Sequence, residues 1–315
     1  MNQLTSYTMQ HHKPMSVSEI QSDPEKVKII NRVFHDFDAD TYENEHPEIY
    51  DLERASWKEL MEGPLSEIIH KPDTVILDIG IGNGFVIEVI SPYILSTHTV
   101  IFSDISQKMV DIVSEKFKNH DFKKEFIVTE AAHIPYPTES IDLITVNSVL
   151  HHIPNHEEFL AEAKRLLRPG GALLIKHEPN VRFPRNTTLR SLYLFVNKMK
   201  GRGDQNKPKP VDQKLLDALE QEGVSFIEPV TKQQLQSLVD ISSPTAGGGM
   251  DMERGFDPYN IVSRVFPEAT ESRISTYAYL GKYNEKKNII TQLVAGVLKF
   301  VFPKDGYLFD LIVIK

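Results

Sequence analysis

Cysteine is absent from all 315 residues, which removes disulfides, zinc-thiolate sites, iron–sulfur clusters and a cysteine nucleophile from consideration. No apolar run reaches the ~18 residues of a membrane span. There is no excess of positive charge either: 35 basic against 44 acidic residues leave a net −9, which speaks against a surface devoted to nucleic acid. The first fifteen residues, with His11, His12 and Lys13, lack the apolar stretch of a secretory signal. A cytoplasmic chain is expected. What is present is ordinary: 40% hydrophobic and 25% charged residues supply a full-sized core and favour one decorated domain.

Hydrophobic spacing alternates between two periods. Thr74-Val75-Ile76-Leu77-Asp78 is a short β-branched run leading into Gly80-Ile81-Gly82-Asn83-Gly84, after which Phe85, Val86, Val89 and Ile90 recur at helical spacing. Thr99 to Asp104 is a second strand, followed by Ser106 as an N-cap and Met109, Val110, Val113 and Phe117 as an apolar face. Phe126 to Val128, Ile141 to Val146 and Ala172 to Ile175 continue the series, with a helix from His156 to Arg168 ended by Pro169-Gly170-Gly171. Strands separated by helices of this length imply parallel pairing with right-handed crossovers, a doubly wound α/β sheet whose ligand sits at the C-terminal strand ends. Beyond Glu178 the rhythm breaks into helices at Asp212 to Glu222 and Thr231 to Asp240. The chain end reads as strands Ile274 to Tyr283 and Tyr307 to Ile314, joined by a helix from Asn288 to Phe302.

The glycine loop permits close backbone approach while the following helix offers unpaired N–H groups. Its spacing is one residue tighter than the G-x-G-x-x-G of dinucleotide enzymes, and Asp78 precedes it; an acid there repels a pyrophosphate and attracts an ammonium. Asp104, 20 residues after Gly84, stands where an acid accepts both hydroxyls of a ribose; the plainer alternative is a helix-capping aspartate. Together these residues resemble motif I and the ribose-binding acid of class I S-adenosylmethionine-dependent methyltransferases. Glu130-Ala131-Ala132-His133-Ile134-Pro135-Tyr136 is similar to that family's adenine-flanking stretch, with Thr129-Glu130 replacing its Gly-Asp. Asp142 to His152 resembles motif IV with its Leu-His-His continuation, and Leu166 to Gly171 the turn before strand five.

The resemblance covers roughly residues 70 to 180. It implies a Rossmann-like sheet, mostly parallel with an antiparallel last strand, and S-adenosylmethionine as cofactor. Asp78, Gly80, Gly82 and Gly84 would face the methionine part, Asp104 and Ile105 the ribose and adenine edge, Glu130 and Ala131 the adenine amino group, and Asn147 the sulfonium end. The expected organisation is a helical N-terminal lid over 1–70, the cofactor-binding core over 71–180, a substrate-covering insertion over 181–272, and a C-terminal β-hairpin with an inserted helix over 273–315.

Methyl transfer needs alignment and water exclusion, and a base only where the acceptor carries an acidic proton. His151 and His152 follow the fourth strand and are candidate bases; His151, nearer the strand end, is the first choice, and the alternative is that the pair caps the next helix or packs beneath the cofactor. His177 and Glu178 end strand five and point toward the crevice, His177 as a candidate substrate contact and Glu178 to hold an acceptor amine or hydroxyl; the plainer alternative is a solvated strand end. Tyr42 and Tyr50 lie in a stretch, Asp36 to Glu53, with eight acidic and no basic residues, and would close over a sulfonium; solvated acids on an amphipathic helix are the alternative. No metal is expected.

From Arg182 to Lys209 eight basic residues and one acid would recognise an anionic acceptor, rest on a membrane surface, or form a solvated cap paired with the acidic N-terminal segment, the last being favoured. The apolar helix from Asn288 to Phe302 is expected to pack on the sheet, the sharper alternative being an apolar acceptor channel. The function expected is methyl transfer to a small-molecule acceptor, oxygen favoured over nitrogen or carbon. A non-catalytic S-adenosylmethionine sensor or interaction module is the rival, followed by an NAD-dependent oxidoreductase.

Overall fold

The computed structural model of the chain describes residues 13–39, 47–199, 209–246, 250–281 and 289–315, without the side chains of 47–52. Among the described residues the chain opens with α1 (Val17–Gln21), α2 (Pro24–Asp38) and α3 (Pro47–Glu62). Asp23 caps α2 by accepting from the N–H groups of Glu25 and Lys26, with Pro24 at the first helical position. After the single turn α4 (Ser66–Ile69) the βα alternation begins: β1 (Val75–Ile79), α5 (Phe85–Ile90), β2 (Thr99–Asp104), α6 (Gln107–Phe117), β3 (Lys123–Val128), β4 (Ile141–Asn147), α7 (His156–Leu166) and β5 (Leu167–Pro179). Helices α8 (Arg182–Arg185), α9 (Thr187–Met199), α10 (Gln213–Gln221), α11 (Lys232–Val239) and α12 (Pro258–Val265) follow, then β6 (Glu271–Tyr277), α13 (Ile289–Val301) and β7 (Leu308–Ile314).

The seven strands run in the order β3-β2-β1-β4-β5-β7-β6. The first five are parallel and β7 lies antiparallel to both its neighbours. This is the Rossmann-like sheet the alternation predicts, with the order reversing between β1 and β4, where a doubly wound sheet opens its ligand crevice. Both faces are covered, so the central strands read as continuous apolar runs. Leu77, Ile79, Ile144, Val146, Leu173 and Ile175 pack on Phe159 and Leu160 of α7, whereas Ile76, Leu143 and Leu174 pack on Trp57 and Met61 of α3 and Ile87 and Ile90 of α5. A third cluster joins α1 and α2 to α10 and α11 through Ile30, Leu219 and Leu235, so the N-terminal segment and the insertion share a core.

Two boundaries and one packing face differ from the sequence reading. Helix α7 stops at Leu166 because Leu167 is already extended, and β5 runs through Pro169-Gly170-Gly171, where Gly170 N–H donates to the Lys315 carbonyl at 2.7 Å and Lys315 N–H to the Gly171 carbonyl at 2.9 Å. Strand β6 ends at Tyr277, since Ala278 takes a positive φ of 63° and turns the chain away. Helix α13 does not bury its apolar stripe on the sheet: of its residues only Ala295 is buried.

Candidate functional site

The loop between β1 and α5 takes positive φ at Gly80, Gly82 and Gly84. Gly80 (φ 65°) donates its N–H to the Ser103 carbonyl of β2 at 2.8 Å, and a Cβ there would lie 2.5 Å from the Val149 side chain beyond β4. Gly84 (φ 81°) caps α5 and faces the Phe117 ring, 2.7 Å from where its Cβ would stand. Only glycine satisfies both demands at either position.

Above this loop opens a cavity of about 940 Å³ including its mouth. From the strand ends come Gly80, Gly82, Ser103, Asp104, Ile105 and Asn147; Thr129, Glu130 and Ala131 come from the β3 exit, Val149 and His152 from the β4 exit, and Lys28, Asn31 and His35 from α2. Asp78 and Gly84 lie beside it without lining it.

Its carboxylates are held out of water. Asp78 is buried, one oxygen accepting the Thr145 hydroxyl at 2.6 Å and the other, Oδ2, left without a hydrogen-bond partner. Burial, only partly offset by Thr145, pushes its pKa up to about 7, and the nearby charge of Asp104 adds to the rise. Asp104 accepts the N–H groups of Gly82 at 3.2 Å and Ser106 at 2.9 Å, yet burial still lifts it to about 6. Ser103 Oγ, Asn147 Oδ1 and Asn31 Oδ1 are also buried and unpartnered. Such atoms cost free energy until a ligand satisfies them. Two raised carboxyls and these bare polar atoms suit a ligand with a cationic group and hydroxyl donors, as S-adenosylmethionine is. Glu130 is engaged by Lys28 at 2.6 Å, which ties α2 to the β3 exit.

A β-bulge builds the opposite wall. Ile175 opposes Leu311 and Glu178 opposes Phe309, so β5 carries one extra residue, with His177 at φ 61°. Plain alternation would turn Glu178 to the opposite face from Ile175; the bulge returns it to the same face. There its carboxylate accepts the N–H groups of Val149, Leu150 and His151 at 2.6, 2.7 and 3.1 Å and meets His151 Nδ1 at 2.8 Å. The expectation that Glu178 grips an acceptor is therefore corrected: fully buried, it spends its acceptor capacity fixing the turn Leu150–His152. Of the two histidines, His152 lines the cavity and His151 does not, which reverses the preference for His151. The imidazole of His151 is drawn toward Glu178 and lies tilted by 39° against His152, with ring centres 4.1 Å apart.

His152 Nδ1 lies 3.0 Å from the Val239 carbonyl and 3.2 Å from Asp240 Oδ1. A carbonyl only accepts, so Nδ1 carries the proton and Nε2 is the accepting nitrogen. Burial, reinforced by His151, pushes His152 down to about 4, and His35, edge-on to it at 5.1 Å, is pushed down to about 3 by burial and by His152. Both rings are neutral in the folded chain at neutral pH. Donor atoms of His151, His152 and Asp240 fall within 4.8 Å of one another; with Nδ1 of His152 bonded to Val239, that ring would have to offer Nε2 to any cation.

His177 belongs to a different cluster. Its Nδ1 lies 2.9 Å from Glu53 and 3.3 Å from the Tyr277 hydroxyl, while Lys176, buried against Trp57, binds Asp310 and Ser56 at 2.9 Å each. Although burial opposes it, the His177 hydrogen bond holds Glu53 below the usual carboxylate range. His177 thus does not line the cavity, contrary to its assignment to substrate. Tyr42 lies outside the described residues, as does the side chain of Tyr50. Among the described residues of the basic segment Arg182 binds Asp257 and Asp305, and Arg185 binds Glu253; its stretch 200–208, and the acidic side chains of 40–52 expected to pair with it, lie outside the described residues. Lys28, Asn31, His35 and Asp240 were not singled out from the sequence; α2 fell within the helical N-terminal segment read over 1–70, with no residue marking the face that meets the cavity.

Comparison with known proteins bears on this geometry. Residues 77–175 match the family model described as a methyltransferase domain. The ubiquinone/menaquinone biosynthesis C-methyltransferase UbiE of Hydrogenovibrio crunogenus is 28% identical over 127 residues, 40% of this chain and 50% of that protein. Its namesake in Marinomonas sp. is 29% identical over 168 residues, 50% and 61% of the two chains. The chain thus spans about half the length of the curated relatives it matches. A SAM-dependent methyltransferase from Aquifex aeolicus of solved structure is 26% identical over 39% of this chain and 71% of that one, with a TM-score of 0.33.

Proposed function

We propose that this chain, whose residues 77–175 form a class I methyltransferase domain with S-adenosylmethionine as its cofactor, transfers a methyl group to a small acceptor bearing an acidic hydroxyl, with His152 as the base. The bound cofactor supplies an activated methyl. Asn147, with Asp78 buried beside the cavity, would hold its sulfonium and ammonium end, Asp104 with Ile105 the ribose and adenine edge, and Glu130 with Ala131 the adenine amino group. Helix α2 and the turn after α11 act as cover, which supports reading 1–70 as a lid and 181–272 as the substrate-covering insertion.

The observation that carries the reaction is the state of His152. Its Nδ1 proton is held by the Val239 carbonyl and Asp240, so Nε2 is unprotonated and free of a competing proton at neutral pH. On taking the acceptor's hydroxyl proton the ring becomes cationic beside the Asp240 carboxylate at 3.2 Å, which offsets part of the burial that otherwise holds the ring neutral. His151, fixed by Glu178, positions the turn that carries the base. The resulting oxyanion of a phenol or enol attacks through oxygen or through the carbon it activates; the names of the relatives favour carbon, whereas a histidine beside a hydroxyl favours oxygen.

The test is incubation with labelled S-adenosylmethionine and a panel of phenols, enols and amines, with product identification by NMR. Methylated phenol or enol is the expected product, its position deciding between oxygen and carbon. Turnover of amines alone would overturn the proposed role of His152.

A further inference from the structure

Helix α13 is turned inside out relative to an ordinary surface helix. At about 100° per residue, Thr291, Ala295, Leu298 and Phe302 line its packed side, and Gln292, Gly296 and Lys299 form a narrow polar strip. Ile289, Ile290, Leu293, Val294, Val297, Phe300 and Val301 spread over the remaining face. That face is in water: Leu293 is 66% exposed and Phe300 88%. Helix α9 adds Leu194, Phe195 and Met199, all exposed. The two helices rest on one cluster through Leu189 and Tyr193 of α9, Leu298 of α13, Phe183 and Tyr307. An apolar surface of this extent marks an interaction site rather than chance exposure.

Charge decides the occupant. Thr187 to Met199 and Ile289 to Lys304 contain Arg190, Lys198, Lys299 and Lys304 and no acidic residue, in a chain whose net charge is −9. None of the four is in an ion pair among the described residues. A second copy seated on this face would bring these cations against their equivalents. An anionic lipid surface instead complements them, and it accepts the apolar side chains without requiring a shaped partner. The helix is too short to span, and among the described residues no helix is long and apolar enough to cross a membrane.

We infer that α13, flanked by α9, docks this protein on the surface of anionic membranes, lying in the interfacial plane with Leu293, Val297 and Phe300 inserted among the acyl chains. Every side chain used is exposed, so the surface can be altered without disturbing the core. The inference stands independently of the reaction proposed above.

The experiment is co-sedimentation of the full chain with vesicles of phosphatidylcholine alone and of phosphatidylcholine with phosphatidylglycerol, at low and high salt. Binding to the anionic vesicles is expected, weakened by salt. The triple variant Leu293→Gln, Val297→Gln, Phe300→Gln should bind at least tenfold more weakly with an unchanged melting temperature, and Lys198→Glu with Lys299→Glu should lose the preference for the anionic lipid. Absence of wild-type binding to either vesicle would overturn the inference. So would equal binding by the triple variant, or a concentration-dependent dimer abolished by it without any vesicle affinity.

Discussion

The two walls of the cavity are made in different ways. On one side Gly80, Gly82, Asp104 and Asn147 sit at the ends of adjacent parallel strands, within loops a few residues long. On the other, His152 is held by Val239 and Asp240 from 87 and 88 positions further along, and the turn carrying it is pinned by Glu178 from β5. The first wall is a property of short segments, the second of packing among distant ones. A fold can therefore keep a cofactor wall while changing the acceptor wall through elements outside the sheet.

That division predicts separable effects. The largest is expected from His152→Ala: loss of a general base lowers turnover by about 10²- to 10⁴-fold, while calorimetric affinity for S-adenosylhomocysteine stays near wild type. A parallel fall in affinity would break the separation. Asp104→Ala should do the converse. Losing charge-assisted hydrogen bonds costs on the order of 1.5–3 kcal/mol, read as a weakened cofactor Kd with turnover at saturating cofactor largely kept.

Gly80→Ala tests the rigidity of the cofactor wall, since it meets both a φ of 65° and the Val149 side chain at 2.5 Å. Strain of this kind costs about 1–3 kcal/mol, to be seen as a lower melting temperature. An unchanged melt would mean the loop relaxes freely.

The smallest effects are in pH, where the walls respond with opposite sign. Asp78 and Asp104 have folded pKa values raised to about 7 and about 6, so without ligand they favour the fold at low pH and lose that advantage as pH rises through those values. His152 and His35, lowered to about 4 and about 3, favour the fold above the ordinary histidine range near 6.5, and that contribution is lost as pH falls toward 4. A ligand cation stabilises the ionised carboxyls, so cofactor affinity should weaken from pH 8 to pH 6, and Asp78→Asn should flatten the upper part of that profile. Affinity rising on acidification would remove the carboxyls from the ligand.

The same division explains what the sequence disclosed. Strand–helix alternation, the tight glycine spacing and Asp104 at the end of β2 are local patterns, legible because each residue's task is set by its immediate neighbours. The orientation of Glu178 was not legible, because one bulged residue in β5 moves it to the other face and period-two counting cannot register that. The choice of His152 over His151 depends on where α11 and Asp240 dock. The exposed face of α13 was misread for a related reason: periodicity gives a stripe of apolar residues but not whether anything covers it.

The central claim is that the strand-end wall accepts S-adenosylmethionine chemistry and rejects a pyrophosphate dinucleotide. Calorimetric titration of the purified chain with S-adenosylhomocysteine and, separately, NAD at pH 6.5 tests it directly. Heat of binding is expected from S-adenosylhomocysteine, with a buffer-dependent component from proton release by Asp78, and none from NAD. Binding of NAD with no heat from S-adenosylhomocysteine would contradict it.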